Sequence, residues 1–145
     1  MSEQANGMKE KIDSMLRQAK TIAVVGMSNK PERASFHIAG YLARHGYRVL
    51  PVNPALSRVQ VGDSEVDCHP TLEAAQAVAA IDLVDVFRAS DAVPEIVDEV
   101  IRLKIPFLWL QDGVVNDEAV ARAEAAGVVC VQNDCIYRQH AARMP

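Results

Sequence analysis

A polar segment near the start of the chain, residues 26–35, has the composition of an anion-binding loop. It precedes a predicted helix, and the free N–H groups and positive dipole end of a helix N-terminus attract phosphate. Its cations add charge, its serine hydroxyls can donate hydrogen bonds, and its glycine lets the backbone approach a ligand closely. The alternative interpretation is a surface loop with two solvated cations and a serine cap. The candidate binding residues in this segment are Gly26, Met27, Ser28, Lys30, Arg33 and Ser35.

A second polar pair, Asn53 and Pro54, follows the second predicted strand. The amide of Asn53 offers donors and an acceptor to a ribose or to an adenine edge. Pro54 makes the loop rigid and offers an apolar face against which a base can rest. The same dipeptide is also a good turn sequence, so both interpretations remain open from the residues alone.

Phe87 and Arg88 end the third strand of the predicted sheet. Arginine pairs bidentately with phosphate, which makes Arg88 a candidate phosphate ligand. The alternative is an ion pair with a nearby acid, either Asp91 or Glu95.

Ligands of open α/β sheets bind beyond the carboxyl ends of the strands, near the point where the strand order reverses. All the loops named above follow predicted strands, so this rule makes each of them a candidate ligand-binding loop. Gln111 follows the next strand and is a candidate for the far wall of the same site. The neighbouring Asp112 and Gly113 favour a turn at that place.

The first loop departs from two nucleotide-binding motifs. The dinucleotide fingerprint Gly-x-Gly-x-x-Gly needs glycines at the positions of Ser28 and Pro31, and the P-loop pattern is missing as well. At the end of the second strand, where a dehydrogenase usually carries an acid for the ribose hydroxyls, this chain has Asn53. These departures argue against NAD as the ligand.

Composition excludes several classes of protein. A formal net charge of −4 and a pI near 5.5 provide no basic field for nucleic acid. Apolar stretches are strand-sized rather than membrane-sized, and residues 1–7 are too polar for a signal peptide, so we expect a cytoplasmic protein without a membrane partner. Three cysteines without Cys-x-x-Cys spacing predict reduced thiols, with neither a disulfide framework nor a zinc site; they are Cys68, Cys130 and Cys135.

Alternating apolar patterns place these loops in a sheet. A continuous apolar, β-branched run predicts a strand buried on both faces at residues 21–25, and further strands are predicted at residues 48–52, 82–87, 105–110 and 128–132. Helical spacing predicts helices between them. Their expected boundary residues are Ser35 to His45 with Gly46 as C-cap, the N-caps Thr71, Ser90 and Asn116, Pro94 in a first turn, and Gly127 as a helix end.

The predicted architecture is α/β: a Rossmann-like open, mainly parallel sheet with helices on both faces, in three α/β/α layers. Residues 1–20 predict an amphipathic helix that packs on the sheet edge, and residues 21–145 form a single domain. Residues 55–68 are irregular and, with a turn at Gly62, predict a hairpin or a lid.

In this order, the motifs resemble the CoA-binding domain family related to the N-terminal domain of the succinyl-CoA synthetase alpha subunit. The similarity extends from Thr21 to His140. The matching motifs are Val24-Val-Gly-Met-Ser28 with Arg33 and Ser35, Gly46-Tyr-Arg-Val-Leu-Pro-Val-Asn-Pro54, Val84-Asp-Val-Phe-Arg88, Trp109-Leu-Gln-Asp-Gly113 and Asn133-Asp-Cys135.

The resemblance implies that residues 26–35 hold the phosphates of coenzyme A or an acyl-CoA, with Asn53, Pro54, Phe87 and Arg88 at the adenosine end. Pantetheine would extend over the strand ends. Family members often have a second arginine where this chain has Ala89, which implies one phosphate contact fewer. Lys30, Arg33, Arg58 and Arg88 are the cations available for the phosphates.

No catalytic set is evident. Cys135 and His140 are five residues apart on a predicted helix and do not share one face, and Cys68 and His69 lie in the irregular segment. We expect a non-catalytic sensor, carrier or accessory module for CoA, acting alone, as a homodimer or with another protein. Two alternatives remain: an NAD(P)-dependent oxidoreductase or other nucleotide-binding domain, and an interaction domain with a vestigial cleft.

Overall fold

Seven strands and six helices are formed in the computed structural model, which describes residues 3–144. The strands are β1 (Thr21–Val25), β2 (Arg48–Val52), β3 (Arg58–Val61), β4 (Ser64–Asp67), β5 (Leu83–Val86), β6 (Phe107–Leu110) and β7 (Val129–Val131). The helices are α1 (Glu3–Gln18), α2 (Ala34–Arg44), α3 (Leu72–Val78), α4 (Val93–Arg102), α5 (Asp117–Ala125) and α6 (Ile136–Ala141).

The predicted parallel sheet is confirmed, with the strand order β2-β1-β5-β6-β7. Strand β1 lies between β2 and β5, and all five of its residues are buried. This explains its continuous apolar sequence, because a strand covered on both faces has no solvated side for polar residues. After β1 the chain adds β2 on one side of that strand, and later β5, β6 and β7 on the other side. The strand order therefore reverses between β1 and β5.

Two buried clusters form the core, one on each face of the sheet. On one face, Ile22 and Val24 of β1 belong to a cluster with apolar residues of α1, α2 and α6. On the other, Ala23 and Val25 belong to a cluster with α3, α4 and α5. The alternation within a single strand therefore produces the three predicted layers.

Helix α1 lies on a face of the sheet, and the predicted position at its edge is wrong. Ile12 and Met15 are buried in the cluster that contains Trp109 of the interior strand β6. Lys11 Nζ donates a hydrogen bond to the carbonyl of Cys130 in β7. Residues 1, 2 and 145 of the two predicted segments lie outside the described residues. Within residues 3–144, every helix is too short or too polar to traverse a bilayer.

Two of the three predicted N-caps are confirmed. Thr71 accepts a hydrogen bond from Ala74 N, and Asn116 Oδ1 accepts one from Ala119 N. The prediction for Ser90 is wrong, because a short 3-10 turn separates it from α4 and its hydroxyl accepts instead from Val115 N, 2.9 Å away.

The irregular segment contains the hairpin β3–β4, which turns at Gly62 with φ +60°. The hairpin packs on α2 at Gly40, where an added Cβ would lie 3.3 Å from Gly62 N. Val59 and Val61 point into the core. The segment is therefore anchored to the sheet layer by buried side chains.

Candidate functional site

The carboxyl ends of β2, β1 and β5 lie side by side and bring three of the predicted loops together. Gly26 follows β1, Asn53 follows β2, and Phe87 follows β5. Hydrogen bonds from Gly26 N to Val52 O at 3.0 Å and from Phe87 N to Val25 O at 2.8 Å hold these ends in register. The nominated residues thus meet at the point where the strand order reverses.

Two cavities open at this edge. The first cavity, of ≈ 460 Å³, lies on the α2 side, and the second, of ≈ 350 Å³, lies on the α3 and α4 side. The first is lined by Gly26, Met27, Ser28, Asn29, Lys30, Arg33, Ala34, Ser35, Asn53, Leu56 and Phe87. The second is lined by Val25, Gly26, Val52, Asn53, Pro54, Pro70, Thr71, Leu72, Arg88, Ala92, Glu95, Ile96 and Glu99. Gly26 and Asn53 line both, so the cavities adjoin.

Helix α2 begins at the first cavity without a side-chain cap. Its N-cap residue, Arg33, makes no capping hydrogen bond, whereas α3 and α5 are capped by Thr71 and Asn116. Ala34 and Ser35, the first residues of α2, line the cavity. The positive end of this helix therefore faces a space in which an anion can take the place of a cap.

Two exposed cations flank this helix end. Lys30 and Arg33 line the first cavity, and within residues 3–144 neither forms an ion pair. Both are therefore able to turn toward a bound phosphate.

The serines of the loop hold it in shape. Ser28 N donates to Ser35 Oγ at 3.1 Å, and Ser28 Oγ accepts from Lys30 N at 3.1 Å. Ser35 is only 4% exposed. Because each hydroxyl oxygen acts as an acceptor within the loop, each hydroxyl proton remains to be donated to a ligand.

Met27 and Asn53 act differently from what their sequence positions indicate. The Met27 side chain is fully buried in the α2-side core, so only its backbone borders the cavity. Asn53 Nδ2 donates to Met27 O at 2.8 Å, while Asn53 Oδ1 accepts from Ala55 N at 2.8 Å. Asn53 thus ties the loop after β2 to the loop after β1.

Replacing Asn53 by aspartate is expected to lower the free energy of unfolding by about 1–3 kcal/mol. The carboxylate keeps the acceptor for Ala55 N but puts an oxygen, in place of the Nδ2 donor, against the Met27 carbonyl. Urea unfolding followed by circular dichroism measures the change. Asn29→Asp is the control, because Asn29 is exposed in the loop after β1, the loop to which Asn53 is hydrogen-bonded. Equal midpoints for the two variants would show that the Asn53 bond does not hold the loop.

Two residues named from the sequence lie away from the cavities. Gln111 is buried, and its Oε1 accepts from Ile136 N at the start of α6, 3.0 Å away. Arg58 lies on the hairpin, where it pairs with Glu65 at 3.0 Å and with Asp67 at 2.7 Å. The prediction that Gln111 lines a ligand site and the assignment of Arg58 to phosphate binding are not supported by these positions.

Phe87 lines the first cavity and Arg88 the second. The alternative interpretation of Arg88, an ion pair with Asp91 or Glu95, is not seen among the described residues. Arg88 is exposed, and its Cδ would lie 3.2 Å from a Cβ added at Gly26. It therefore stands beside the boundary between the two cavities.

The cysteines are buried and free, and none of them lines either cavity. Burial raises the pKa of Cys68, and burial raises the pKa of Cys130 to about 12. Thiols with raised pKa values are weak nucleophiles at neutral pH. His140 lies elsewhere, on α6, where its Nδ1 is hydrogen-bonded to Tyr41 Oη of α2 at 2.8 Å.

Comparison with known proteins assigns the chain to a family. A family model described as a CoA-binding domain matches residues 20–141. The chain belongs to this CoA-binding domain family. The uncharacterized protein YneT of Bacillus subtilis is 32% identical over 136 residues, which are 94% of this chain and 96% of that protein.

Solved structures share the fold of this CoA-binding domain. A hypothetical protein from Pyrococcus horikoshii OT3 has a TM-score of 0.84 and 34% identity, covering 92% of this chain and 90% of its own. A protein from Thermus thermophilus has a TM-score of 0.80 and 31% identity, covering 92% and 97%.

A Rex-family repressor, RSP, is a more distant neighbour of this CoA-binding domain. Its structure in complex with beta-NAD+ and operator DNA has a TM-score of 0.56 and 20% identity, covering 90% of this chain and 57% of its own. At that identity the likeness concerns the fold alone.

Sequence reasoning missed the part of the site that helices α3 and α4 contribute. Thr71 at the start of α3 lines the second cavity together with Ile96 and Glu99 of α4, and the two α4 residues lie well outside the loops that directly follow strands. Ile96 belongs to the apolar stripe of α4, which predicts only a core contact. The signal available in the sequence was a pair of acids beside that stripe, Glu95 and Glu99, one turn apart. Two acids on one helix face repel each other, so the stability of the helix does not explain the pair.

Proposed function

We propose that this chain binds coenzyme A, free or acylated, across the carboxyl edge of its sheet and catalyses no reaction on it. The observation that carries the proposal is the pair of adjoining cavities that share Gly26 and Asn53. An elongated ligand with phosphates in its middle and a base at one end can occupy both. The protein then acts as a sensor, carrier or accessory module for CoA.

The first cavity supplies what the pyrophosphate requires. The uncapped start of α2, the loop hydroxyls and the two exposed cations Lys30 and Arg33 all border one space. The net charge of −4 does not oppose this, because both charged side chains that line the first cavity are cations. Leu56 and Phe87 add apolar surface in the same cavity, against which the pantetheine arm can pack.

The second cavity supplies what an adenine base requires. Its walls are mainly aliphatic or proline side chains, including Pro54, Pro70 and Ile96. Flat apolar walls with a few polar groups are typical of sites for aromatic ligands. Arg88 stands at the boundary, within reach of a phosphate attached to the ribose.

Two features oppose the NAD alternative suggested by the repressor fold. The residue at the end of β2 is an asparagine whose side chain is engaged with Met27 and Ala55, so it is not a free acid for ribose hydroxyls. Gly26 is followed by Ser28 and Pro31 in place of the further glycines of the dinucleotide fingerprint.

The proposal is tested by calorimetric titration of the chain with CoA, acetyl-CoA, NAD, NADP and ATP. We expect CoA and acetyl-CoA to bind more tightly than the other three. Tighter binding of NAD than of CoA, or no heat with any ligand, would refute it. Incubation with acetyl-CoA should leave the thioester intact, and measurable turnover would contradict the non-catalytic role.

Arg33→Ala and Arg88→Ala are each expected to weaken CoA binding by about tenfold to a hundredfold, because a lost hydrogen bond to a charged group costs about 1.5–3 kcal/mol. Both side chains are exposed, so urea unfolding should change little. Arg48→Ala is the control, since Arg48 is exposed at the amino end of β2, the opposite edge of the sheet. Unchanged affinity in both site variants would place the phosphates elsewhere.

A further inference from the structure

The polar groups of the second cavity differ in kind from those of the first. Where the charged residues of the first cavity are two cations, those of the second are one cation, Arg88, and two carboxylates, Glu95 and Glu99, which α4 presents one turn apart. A cavity that holds an adenine needs only apolar walls for affinity. The carboxylates therefore call for a separate explanation.

Glu99 has the less favourable position of the two. It is half-buried among apolar walls, and within residues 3–144 its carboxylate makes neither a hydrogen bond nor an ion pair. Burial raises its pKa, the charge of Arg102 opposes this, and the charges of Glu73 and Glu95 raise it further. Two like charges at i and i+4 also destabilise a helix. A half-buried carboxylate without a partner is stabilised when the ligand brings a hydrogen-bond donor to it.

We infer that Glu99 selects the base of the bound nucleotide, accepting a hydrogen bond from the exocyclic amine of adenine; this inference rests on the proposed binding of CoA. A purine with a 6-amino group brings a donor to the carboxylate. A purine with a 6-oxo group brings an acceptor, so two oxygens with lone pairs face each other. Thr71 provides the complementary donor in the same cavity, because its Oγ1 accepts from Ala74 N and its proton is left for a ring nitrogen.

The competing explanation is structural: Glu99 balances the charge of the cation Arg102, which lies close enough to act on its carboxylate. In that case neutralising Glu99 changes the local field for every ligand that enters, whatever its base. Base selection and charge balance thus differ in one measurable quantity. This is the ratio of the affinities for two ligands that differ only in the base, which has either a 6-amino group beside an N1 acceptor or a 6-oxo group beside an N1–H donor.

The experiment is a calorimetric titration of the full chain with CoA and with deaminated CoA, in which hypoxanthine replaces adenine. We expect the wild type to prefer CoA by about tenfold to a hundredfold, since an acceptor facing an acceptor leaves a charged group unpaired. Glu99→Gln should reduce this preference to less than about threefold, because an amide can accept from the amine or donate to the oxo group.

Glu124→Gln is the matched control, since Glu124 is an exposed carboxylate on α5 outside both cavities, and it should retain the wild-type ratio. Equal affinities of the wild type for the two ligands would overturn base selection while the CoA proposal stands. A ratio unchanged by Glu99→Gln would overturn the role of Glu99 in the same way. Absence of CoA binding to the wild type would refute both the proposed function and this inference.

Discussion

Replacing Gly26 by alanine is expected to lower the free energy of unfolding by about 3–5 kcal/mol and to abolish CoA binding. Two costs combine. Gly26 has φ +86°, where a side chain is strained. An added Cβ would also lie 2.4 Å from the carbonyl oxygen of Phe87, and because that atom belongs to the backbone, the ends of β1 and β5 must move apart.

Gly113→Ala separates these two costs. Gly113 has a similar φ of +81°, but an added Cβ there meets no atom within 4 Å. In this variant only backbone strain should lower the free energy of unfolding, by about 1 kcal/mol. Urea unfolding measures both variants. Equal losses for Gly26→Ala and Gly113→Ala would show that the approach of β1 to β5 is not a tight constraint.

The same variant also tests how the two cavities are used. Gly26 borders both, and a methyl group there would press on Phe87, which lines the first cavity, and on Arg88, which lines the second. A ligand confined to one cavity would keep part of its affinity in whatever fraction of the variant folds. A ligand that passes from one cavity to the other would lose binding altogether, which is the outcome that the proposed CoA site requires.

The layers of the fold are predictable because local patterns determine them. The β-branched, mostly apolar run of β1 required burial on both faces, and the apolar stripes of the helices showed which sides the helices bury. The caps Thr71 and Asn116 are local as well, since each bonds an amide three residues ahead. Ser90 has the same local signal, but its hydroxyl is taken by Val115, a contact that only the folded chain creates.

The candidate site is predictable where it depends on loops that follow strands, and not where it depends on distant packing. The first cavity is lined largely by one continuous segment, so its cations and serines were found from sequence. Asn53 was named from sequence as a ligand contact, whereas in the structure its side chain joins two loops by a hydrogen bond to Met27. Sequence did not reveal this role, because the two residues lie far apart in the chain. The second cavity needs α3 and α4 placed against β1 and β2, which no local pattern specifies.

Asp85 is the residue for which we expect the largest dependence on pH. It lies in the middle of the apolar strand β5, fully buried, and within residues 3–144 neither carboxyl oxygen has a hydrogen-bond partner. Its partners in register are Val24 and Trp109, and the indole N–H of Trp109 donates to Asp134 O instead. Burial raises the pKa of Asp85 well above its ordinary value of 3.8.

The sign of the pH effect follows from that direction. In the unfolded chain the carboxyl loses its proton near its ordinary pKa of 3.8, whereas in the folded chain it keeps the proton to higher pH. Between the two pKa values the folded state therefore holds a proton that the unfolded state has released. Raising the pH through this interval lowers the free energy of unfolding by about 1.4 kcal/mol per pH unit, and the decline ends above the folded pKa.

Asp85→Asn should remove this decline, because the amide has nearly the shape of the carboxylic acid and does not titrate. Urea unfolding of both proteins from pH 4 upward should show the variant gaining stability relative to the wild type as the pH rises. Other titrating groups contribute alike to both and cancel in the difference. Asp63→Asn, at an exposed position of the hairpin turn, should follow the wild type at every pH. Parallel pH profiles for Asp85→Asn and the wild type would contradict this prediction, because they would mean that the Asp85 carboxyl is ionised in the folded core. Ionisation there has a large energetic cost, because the carboxyl is completely buried and neither of its oxygens has a hydrogen-bond partner among the described residues.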